Sequence, residues 1–371
     1  MIIFSIFGLL MVFSSSSIIS SFSDTVSPYY YFYRQLSFIA ASYLVCLIVL
    51  IKLKLSNYGK FIVLALPIIL MLLVGLFFIA DEINGAKSWY DLGKFNLQPS
   101  EIAKVYIVLF IAFFFDKYQK KSKTGVDKSL IRPLLIAIIV VGLIFLQPDL
   151  GTALIITLLV FTLYLFIPLD KINKFFLIKF FVVSLTVFTL VVVIFKDKIL
   201  TEKQLSRINY KDPCTRYVEN TGYQVCNSFI AINNGGLFGV GLGNSTQKYL
   251  YLPAAHTDFI FAIIVEELGS IIGIIIIMLY IYMLYRIYRI ARNAVRIRDS
   301  IIALGVLIIF SLHIIINLSG VMGLFPLTGV PLPFLSYGGS FTIACYIMIF
   351  LVQQVAIETN EIKLKREIEE I

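Results

Sequence analysis

Residues 251–262 read Tyr-Leu-Pro-Ala-Ala-His-Thr-Asp-Phe-Ile-Phe-Ala and place His256 and Asp258 at the start of a long apolar run. A carboxylate at the lip of a membrane helix is costly unless it faces a polar cavity, which makes Asp258 a candidate functional residue. The residues just before this stretch, 239–248, form a Gly-rich polar loop. Together the two segments predict an active site or a transport site at a membrane surface.

The composition sets the class of protein. Hydrophobic residues make up 59% of the 371 residues, charged residues make up 14%, and the mean hydropathy is +0.93. A water-soluble domain cannot bury so much apolar surface, and apolar runs of helix length without ten-residue alternation favour helices over a barrel. The sequence therefore predicts an all-α polytopic membrane protein with about ten transmembrane helices. The predicted spans are 2–19, 35–51, 61–80, 101–115, 132–147, 151–168, 175–195, 258–285, 300–321 and 339–357.

The domain organisation follows from these spans. Residues 1–357 are predicted to form a single transmembrane domain, and residues 358–371 a charged cytoplasmic tail that could be a short helix. Spans 7 and 8 are separated by a large extracellular loop, 197–257, and loops of that length in compact domains are usually functional. Three outward segments, 81–100, 197–257 and 323–339, are predicted to lie on the same face as the short turn at 147–149.

The orientation follows from the basic residues. Seventeen lysines and arginines fall in one alternating set of loops, whereas the short loops of the other set carry only Arg34, Lys87 and Lys94. The positive-inside rule therefore places both termini in the cytoplasm. The net charge of +9 is largely this bias, which suits an anionic inner leaflet and gives no indication of nucleic-acid binding.

Two outward motifs carry charged residues whose role the sequence leaves open. Glu101 and Lys104 are spaced i, i+3 at a helix start, so they share a face and can form a structural ion pair. The alternative is a cavity wall in which Lys104 meets an anionic phosphate. Asp149, in the turn between two spans, can cap the next helix or contact a substrate.

The helix that follows Asp258 contains two further acids. Asp258 itself could be a helix cap, but Glu266 and Glu267 lie two turns deeper in apolar surroundings. Because these acids cannot all be caps, at least one of them is expected to face a wet interior.

Irregular backbone is predicted near the last span. The segment from Asn317 to Ser336 and on to residue 340 is rich in glycine and proline. Such backbone is tolerated at membrane depth only against protein or a water-filled cavity. Among the cysteines, Cys214 and Cys226 share the large outer loop, where an oxidising exterior permits a disulfide that the sequence alone leaves open.

The four motifs, in this order, resemble the shape, elongation, division and sporulation family of peptidoglycan polymerases over roughly residues 35–355. The segments 222–224, 233–236 and 241–248, with the run 326–334, are more similar to the division branch than to the elongation branch, and sporulation relatives are not separated from it. One departure stands out: relatives usually carry Glu shortly before the Ala-His-Thr-Asp motif, where this chain has Ala254.

The resemblance implies a glycosyltransferase that polymerises lipid II into glycan strands at the outer face of the cytoplasmic membrane, at the division septum. It implies inverting transfer with Asp258 as general base, while His256 is the alternative base. The residues expected to bind substrate are Glu101, Lys104, Asp149, Lys248, His256, Asn317 and Ser336. No tightly bound cofactor is expected, and Mg²⁺ or Mn²⁺ would arrive with the substrate pyrophosphate.

The implied partners are lipid II, undecaprenyl-linked glycan, a class B penicillin-binding transpeptidase and other division membrane proteins. Two other functions are compatible with the same sequence. A lipid II flippase would depend on deeper acids such as Glu266 more than on Asp258, and a non-catalytic division scaffold would tolerate the loss of Asp258.

Overall fold

A computed structural model describes residues 1–21, 27–52, 54–82, 86–93, 95–119, 127–194, 211–218 and 220–370. These residues form eleven α-helices, three short 3-10 helices and one two-stranded ribbon. The α-helices are α1 Ile2–Ser21, α2 Tyr30–Lys52, α3 Tyr58–Ile79, α4 Pro99–Gln119, α5 Ile131–Leu146, α6 Leu150–Phe166, α7 Lys171–Ile194, α8 Asn220–Gly235, α9 Ile260–Asn293, α10 Ile297–Val321 and α11 Gly339–Glu369.

Every predicted span falls on a helix, and the all-α polytopic fold is confirmed. By length and composition, six helical segments in the described residues can cross a membrane. They are Tyr30–Ile48, Phe61–Ile79, Lys128–Leu146, Ile260–Asn293, Ile297–Val321 and Gly339–Glu369. Two shorter apolar helical segments are Ile2–Ile18 and Leu150–Phe166. The protein is therefore a multi-pass membrane protein, whereas the count of ten spans and the orientation stay predictions.

The chain divides into two compact units. The first unit comprises Met1–Val45, Glu202–Tyr285 and Phe310–Tyr346. Its core includes the fully buried start of α9, with Phe259, Ile260 and Ile263. The predicted outer loop contributes α8 to this unit, a helix that the sequence analysis did not anticipate. Cys214 and Cys226 form a disulfide that ties α8 to the preceding 3-10 helix, Pro213–Arg216.

Helix α9 is interrupted at Gly269, where φ is 86° and ψ is 165°. The predicted span 258–285 falls on this helix, and the break within it was not predicted. The Gly-rich loop after α8 bonds to the main-chain groups around the break: Val240 N donates to Glu266 O at 2.9 Å, and Ser270 N donates to Gly236 O at 3.0 Å. A Cβ at Gly269 would lie 2.2 Å from Leu237 O, so only glycine permits this close approach.

The docking point lies well inside the helix. Gly269 is nine residues beyond Ile260, which corresponds to about 14 Å along a helix. Non-helical backbone at that depth must be satisfied by protein. The hydrogen bonds between the loop and α9 meet that requirement, so the loop is an inserted structural element of the first unit.

The second unit comprises Cys46–Thr201, Arg286–Ile309 and Ile347–Ile371. Within it α3 packs against α4, α5 against α6, and α6 against α7. The ribbon pairs β1 (Tyr90–Asp91) with β2 (Asn96–Leu97), and the Tyr90 hydroxyl donates to Leu72 O at 2.7 Å. Helix α11 continues through the predicted tail as far as Glu369.

Candidate functional site

The main chain at Asp258 is held by two polar side chains from the segment that leads into α11 and from α10. Asn317 Nδ2 donates to Asp258 O and to Val330 O, both at 2.8 Å. Ser336 Oγ donates to Thr257 O at 2.7 Å and accepts from Leu332 N at 2.8 Å. The contacts of these two side chains are with the main chain, so they position Asp258; their predicted role in binding substrate stays a prediction.

Asp258 lies in the turn that precedes α9. Ala254, at the position where relatives usually carry Glu, adopts a left-handed conformation with φ 57°, and its carbonyl accepts from Thr257 N at 3.0 Å and Phe259 N at 3.3 Å. A Cβ added to Gly329 would lie 3.4 Å from Asp258 Oδ2. Asp258 is half-buried, so the residue keeps partial access to solvent.

His256 packs between two tyrosines. Its ring centroid lies 4.8 Å from that of Tyr31 and 5.5 Å from that of Tyr337. Its Nδ1 atom is buried and has no hydrogen-bond partner among the described residues. Burial lowers the pKa of His256 to about 4, so the ring is neutral near pH 7 and is a weak proton acceptor.

Arg34 on α2 is a neighbour of this cluster that the sequence analysis used only for topology. Gln35 beside it donates from Nε2 to Thr342 Oγ1 at 3.1 Å and to Ser336 O at 3.4 Å. Burial raises the pKa of Tyr337 to about 12, and the charge of Arg34 acts in the opposite direction. The one available signal was the scarcity of basic residues in the short loops predicted to face outward, where Arg34 is one of three.

Lys248, Glu266 and Glu267 fasten the Gly-rich loop. Lys248 Nζ donates to Glu267 Oε1 at 2.8 Å and to Gly243 O at 2.7 Å, and Ser14 Oγ donates to both Glu267 oxygens at 2.7 Å. The Glu266 carboxylate accepts from the main chain or side chains of Asn234, Ser245, Thr246 and Gln247.

The expectation that at least one of the three acids faces a wet interior stays open for the half-buried Asp258, and it does not hold for Glu266 or Glu267. Both are fully buried, and their charges are met by the hydrogen bonds of the loop. Lys248 is also buried, and its partner is a carboxylate of the protein. The predicted contact of Lys248 with a substrate phosphate stays a prediction.

The second unit holds the remaining candidates. Lys104 Nζ lies 2.8 Å from Glu101 Oε1, and both side chains are buried, as the structural alternative for the i, i+3 pair requires. Asp149 caps α6 by accepting from Thr152 N at 3.1 Å, and it accepts from Gln98 Nε2 at the same distance. Glu101, Lys104 and Asp149 thus occur at neighbouring helix starts, and their role toward substrate stays a prediction.

The residues that the structure describes contain no group of three or more His, Cys, Asp or Glu side chains placed to hold a metal ion. The carboxylates of Glu266, Glu267 and Asp149 are occupied by protein donors.

Long apolar helices, with a polar cluster around the turn at Asp258 before one of them, define a multi-pass membrane protein. The sequence profile of the family described as "Cell cycle protein" (FtsW, RodA and SpoVE) matches residues 1–361. The chain belongs to this family.

Two curated relatives come from Bacillus subtilis strain 168. The chain is 37% identical over 338 residues to "Probable peptidoglycan glycosyltransferase FtsW", covering 90% of this chain and 83% of that protein. It is 33% identical over 338 residues to "Stage V sporulation protein E", covering 90% of this chain and 88% of that protein.

Two solved structures share the fold. A chain of a peptidoglycan synthase complex that coordinates polymerization and crosslinking superposes with a TM-score of 0.70 at 25% identity, covering 95% of this chain and 96% of the other. The crystal structure of the rod shape determining protein RodA of Thermus thermophilus has a TM-score of 0.63 at 24% identity, covering 95% of each chain.

Proposed function

We propose that the protein is a peptidoglycan glycosyltransferase of the division type, which polymerises lipid II into glycan strands. The observation that carries this proposal is the placement of Asp258. Its main chain is fixed by Asn317, Thr257 beside it is fixed by Ser336, and its half-buried carboxylate lies at the start of α9. Family membership and the names of the FtsW relatives support the same activity.

The reaction requires one proton acceptor. The 4-hydroxyl oxygen of the GlcNAc residue of an incoming lipid II attacks the anomeric carbon of the lipid-linked glycan. A new C–O bond forms as the bond to pyrophosphate breaks, and the configuration inverts from α to β. Asp258 takes the hydroxyl proton, and undecaprenyl pyrophosphate leaves with the bonding electron pair.

The proposed base is the carboxylate of Asp258 rather than the neighbouring imidazole, as the family resemblance implies. The burial that lowers the pKa of His256 to about 4 leaves it neutral and weakly basic. Hydrogen bonds to Ala254 O, from Asn317 and from Ser336 hold the main chain of the turn that carries Asp258. A positioned general acid or base typically contributes about 10²–10⁴-fold to the rate of a reaction.

The reaction is proposed to take place outside the cell, at the division septum, with both termini in the cytoplasm. The asymmetry of the basic residues supports this orientation. A cysteine introduced within 211–218 should be labelled in intact cells by a membrane-impermeant thiol reagent, whereas one introduced at 127–130 should not. Labelling at 127–130 would contradict the proposed orientation.

A class B penicillin-binding transpeptidase is the proposed partner, along with other division membrane proteins. The similarity to a chain of a complex that coordinates polymerization and crosslinking supports this assignment. We propose that any Mg²⁺ or Mn²⁺ enters bound to the pyrophosphate of the substrate, because these hard cations prefer oxygen ligands. Chelation should then slow polymerisation without unfolding the protein.

The proposal is tested with purified protein and lipid II, with and without the transpeptidase, by measuring glycan-chain length. Polymer that appears only with active protein supports a glycosyltransferase. Transfer of lipid II from one leaflet of the vesicle membrane to the other, with no glycan polymer formed, would indicate a flippase. Normal division in cells that carry an inactive but folded protein would indicate a scaffold.

A further inference from the structure

We propose that Ser228 of α8 is a positioning residue for the glycosyl transfer: it holds the end of α10 and, through Asn317, sets the position of Asp258. This inference rests on the proposed function, because it assigns α8 a role in that reaction. Three features support the role: the hydrogen bonds at the end of α10, the packing of α8 against two helices, and the anchoring of α8 on both sides of Ser228.

The end of α10 needs a donor from outside the helix. The last carbonyls of a helix have no partner in its own ladder, and a glycine in the left-handed conformation closes many helix ends. Gly323, with φ 65°, closes this one. Three N–H groups beyond the helix donate back to three of its last carbonyls: Met322 N to Leu318 O at 3.0 Å, Gly323 N to Gly320 O at 3.1 Å, and Leu324 N to Ser319 O at 2.8 Å. In the described part of the chain, the remaining carbonyl, that of Val321, has no main-chain donor.

Ser228 supplies that donor. Its Oγ lies 2.8 Å from Val321 O and 2.7 Å from Val225 O, and Ser228 and Val321 are both fully buried. Val225 lies inside α8, where each carbonyl already accepts from the N–H four residues further on. The hydroxyl hydrogen is therefore needed at Val321 O, because a buried carbonyl without a donor is destabilising.

The end of α10 is linked to the Asp258 turn. Val321 and Asn317 lie one turn apart on this helix, and Asn317 Nδ2 donates to Asp258 O at 2.8 Å. A displacement of the last turn of α10 would move Asn317 and, with it, the main chain at Asp258. Ser228 thus acts on the proposed base through Asn317.

Helix α8 packs against α9 as well as against the end of α10. A Cβ at Gly235 would lie 2.0 Å from Val265 O, so the main chains of α8 and α9 are in direct contact. A Cβ at Gly323 would lie 2.6 Å from Cζ of the Phe229 ring, which places α8 against the residues that follow α10. The buried face of α8 has helical spacing and includes Ser228, Ala231 and Gly235.

Helix α8 is anchored on both sides of Ser228. Cys226, two residues earlier, is bonded to Cys214 in the preceding 3-10 helix. Near the end of α8, Asn234 Nδ2 donates to Glu266 Oε1 at 3.2 Å. These attachments fix the place from which Ser228 reaches α10.

The first experiment compares Ser228→Ala with Ser228→Thr, which keeps the hydroxyl, and with the control Ser42→Ala, in full-length protein in nanodiscs. Ser42 is a buried serine of α2 whose hydroxyl donates to Phe38 O at 2.6 Å. Polymerisation is measured per protein molecule that binds lipid II, so that loss of folded protein does not lower the rate. We expect kcat of Ser228→Ala to fall by about 10-fold with KM little changed, since a misplacement of about 1 Å can cost about 10²-fold. Ser228→Thr should recover part of the rate, and Ser42→Ala should match the wild type.

A double-variant comparison separates positioning from a general structural effect. If Ser228 acts through Asn317, Ser228→Ala should slow polymerisation by less than about twofold in an Asn317→Ala background, because coupled residues are not additive. Equal losses in both backgrounds would show two independent effects and overturn the inference.

Amide hydrogen exchange of residues 254–259 tests the same link without turnover. These amides should exchange faster in Ser228→Ala than in the wild type or in Ser42→Ala, because local opening would become easier. Exchange at the wild-type rate, or a wild-type kcat in Ser228→Ala, would refute this inference and leave the proposed function standing. Wild-type protein that binds lipid II but never polymerises it would refute the proposed function, and the catalytic role of Ser228 with it.

Discussion

The side-chain amide of Asn317 donates to the main-chain oxygen of Asp258 at 2.8 Å, across 59 residues of sequence. The same nitrogen donates to Val330 O, so a single amide joins α10, the turn before α9 and the Gly- and Pro-rich segment. The position of the proposed base therefore depends on the contacts that Asn317 makes with the main chain.

Replacing Asn317 with alanine should lower both stability and turnover. Two buried carbonyls would lose a donor, and unsatisfied buried groups cost about 1–3 kcal/mol each. The turn that carries Asp258 would also lose a constraint, so kcat should fall more than affinity for lipid II. Thermal unfolding and kinetics measure the two effects. Asn244→Ala, which removes an exposed amide bonded only to Val240 O among the described contacts, is the control and should change little.

The buried pair of Lys248 and Glu267 should matter for folding rather than for chemistry. Glu267→Gln leaves the ammonium group without its carboxylate, which should cost about 3–5 kcal/mol of stability. The double variant Lys248→Met, Glu267→Gln removes the stranded charge and should recover part of that loss. Exposed Glu361 on α11 offers a control substitution to Gln. Unfolding measurements in which Glu267→Gln matched that control would contradict the assigned anchoring role.

Acid should destabilise the first unit through His256. Its pKa in the folded protein, about 4, lies below the ordinary 6.5, so the folded state binds the proton more weakly than the unfolded state. The stabilising contribution is complete above pH 6.5 and is lost as the pH falls toward 4, by at most about 3 kcal/mol. Unfolding temperature should drop more steeply over this range in the wild type than in His256→Gln. Parallel curves for the two proteins would show that His256 is not buried as described.

The Cys214–Cys226 disulfide should stabilise the loop around α8. A cross-link across 12 residues contributes about 3 kcal/mol by restricting the unfolded chain. Reductant should therefore lower the unfolding temperature of the wild type, but not that of Cys214→Ser, Cys226→Ser. Thiol alkylation followed by mass measurement should label Cys46 and Cys345 alone in unfolded, unreduced protein. Labelling of all four cysteines there would contradict the pairing.

Hydropathy was sufficient to predict the apolar helices, because a long apolar run within a membrane must satisfy its backbone hydrogen bonds internally. It could not predict the break at Gly269, since the residues on both sides remain apolar and the break depends on a loop that docks there. Helix α8 escaped prediction for a related reason: its sequence, Asn220–Gly235, is too polar to resemble a span.

The site was predicted in part. Asp258, His256, Asn317 and Ser336 were identified from their motifs, and the structure brings them together in one unit. The partners of Lys248 and Glu266 were not predicted. They depend on contacts between α1, the Gly-rich loop and α9, which no local sequence pattern encodes. The contact of Gln35 with Ser336 was not predicted either, because it joins residues some 300 positions apart in the sequence.

The most direct test of the central claim is the rate of lipid II polymerisation by Asp258→Asn. This change preserves the size of the side chain and removes the basic oxygen, so folding, disulfide formation and lipid II binding should match the wild type. The rate should fall by about 10²–10⁴-fold, the usual contribution of a general base. Polymerisation by Asp258→Asn at close to the wild-type rate would contradict the account and leave Asp258 as a structural residue at the start of α9.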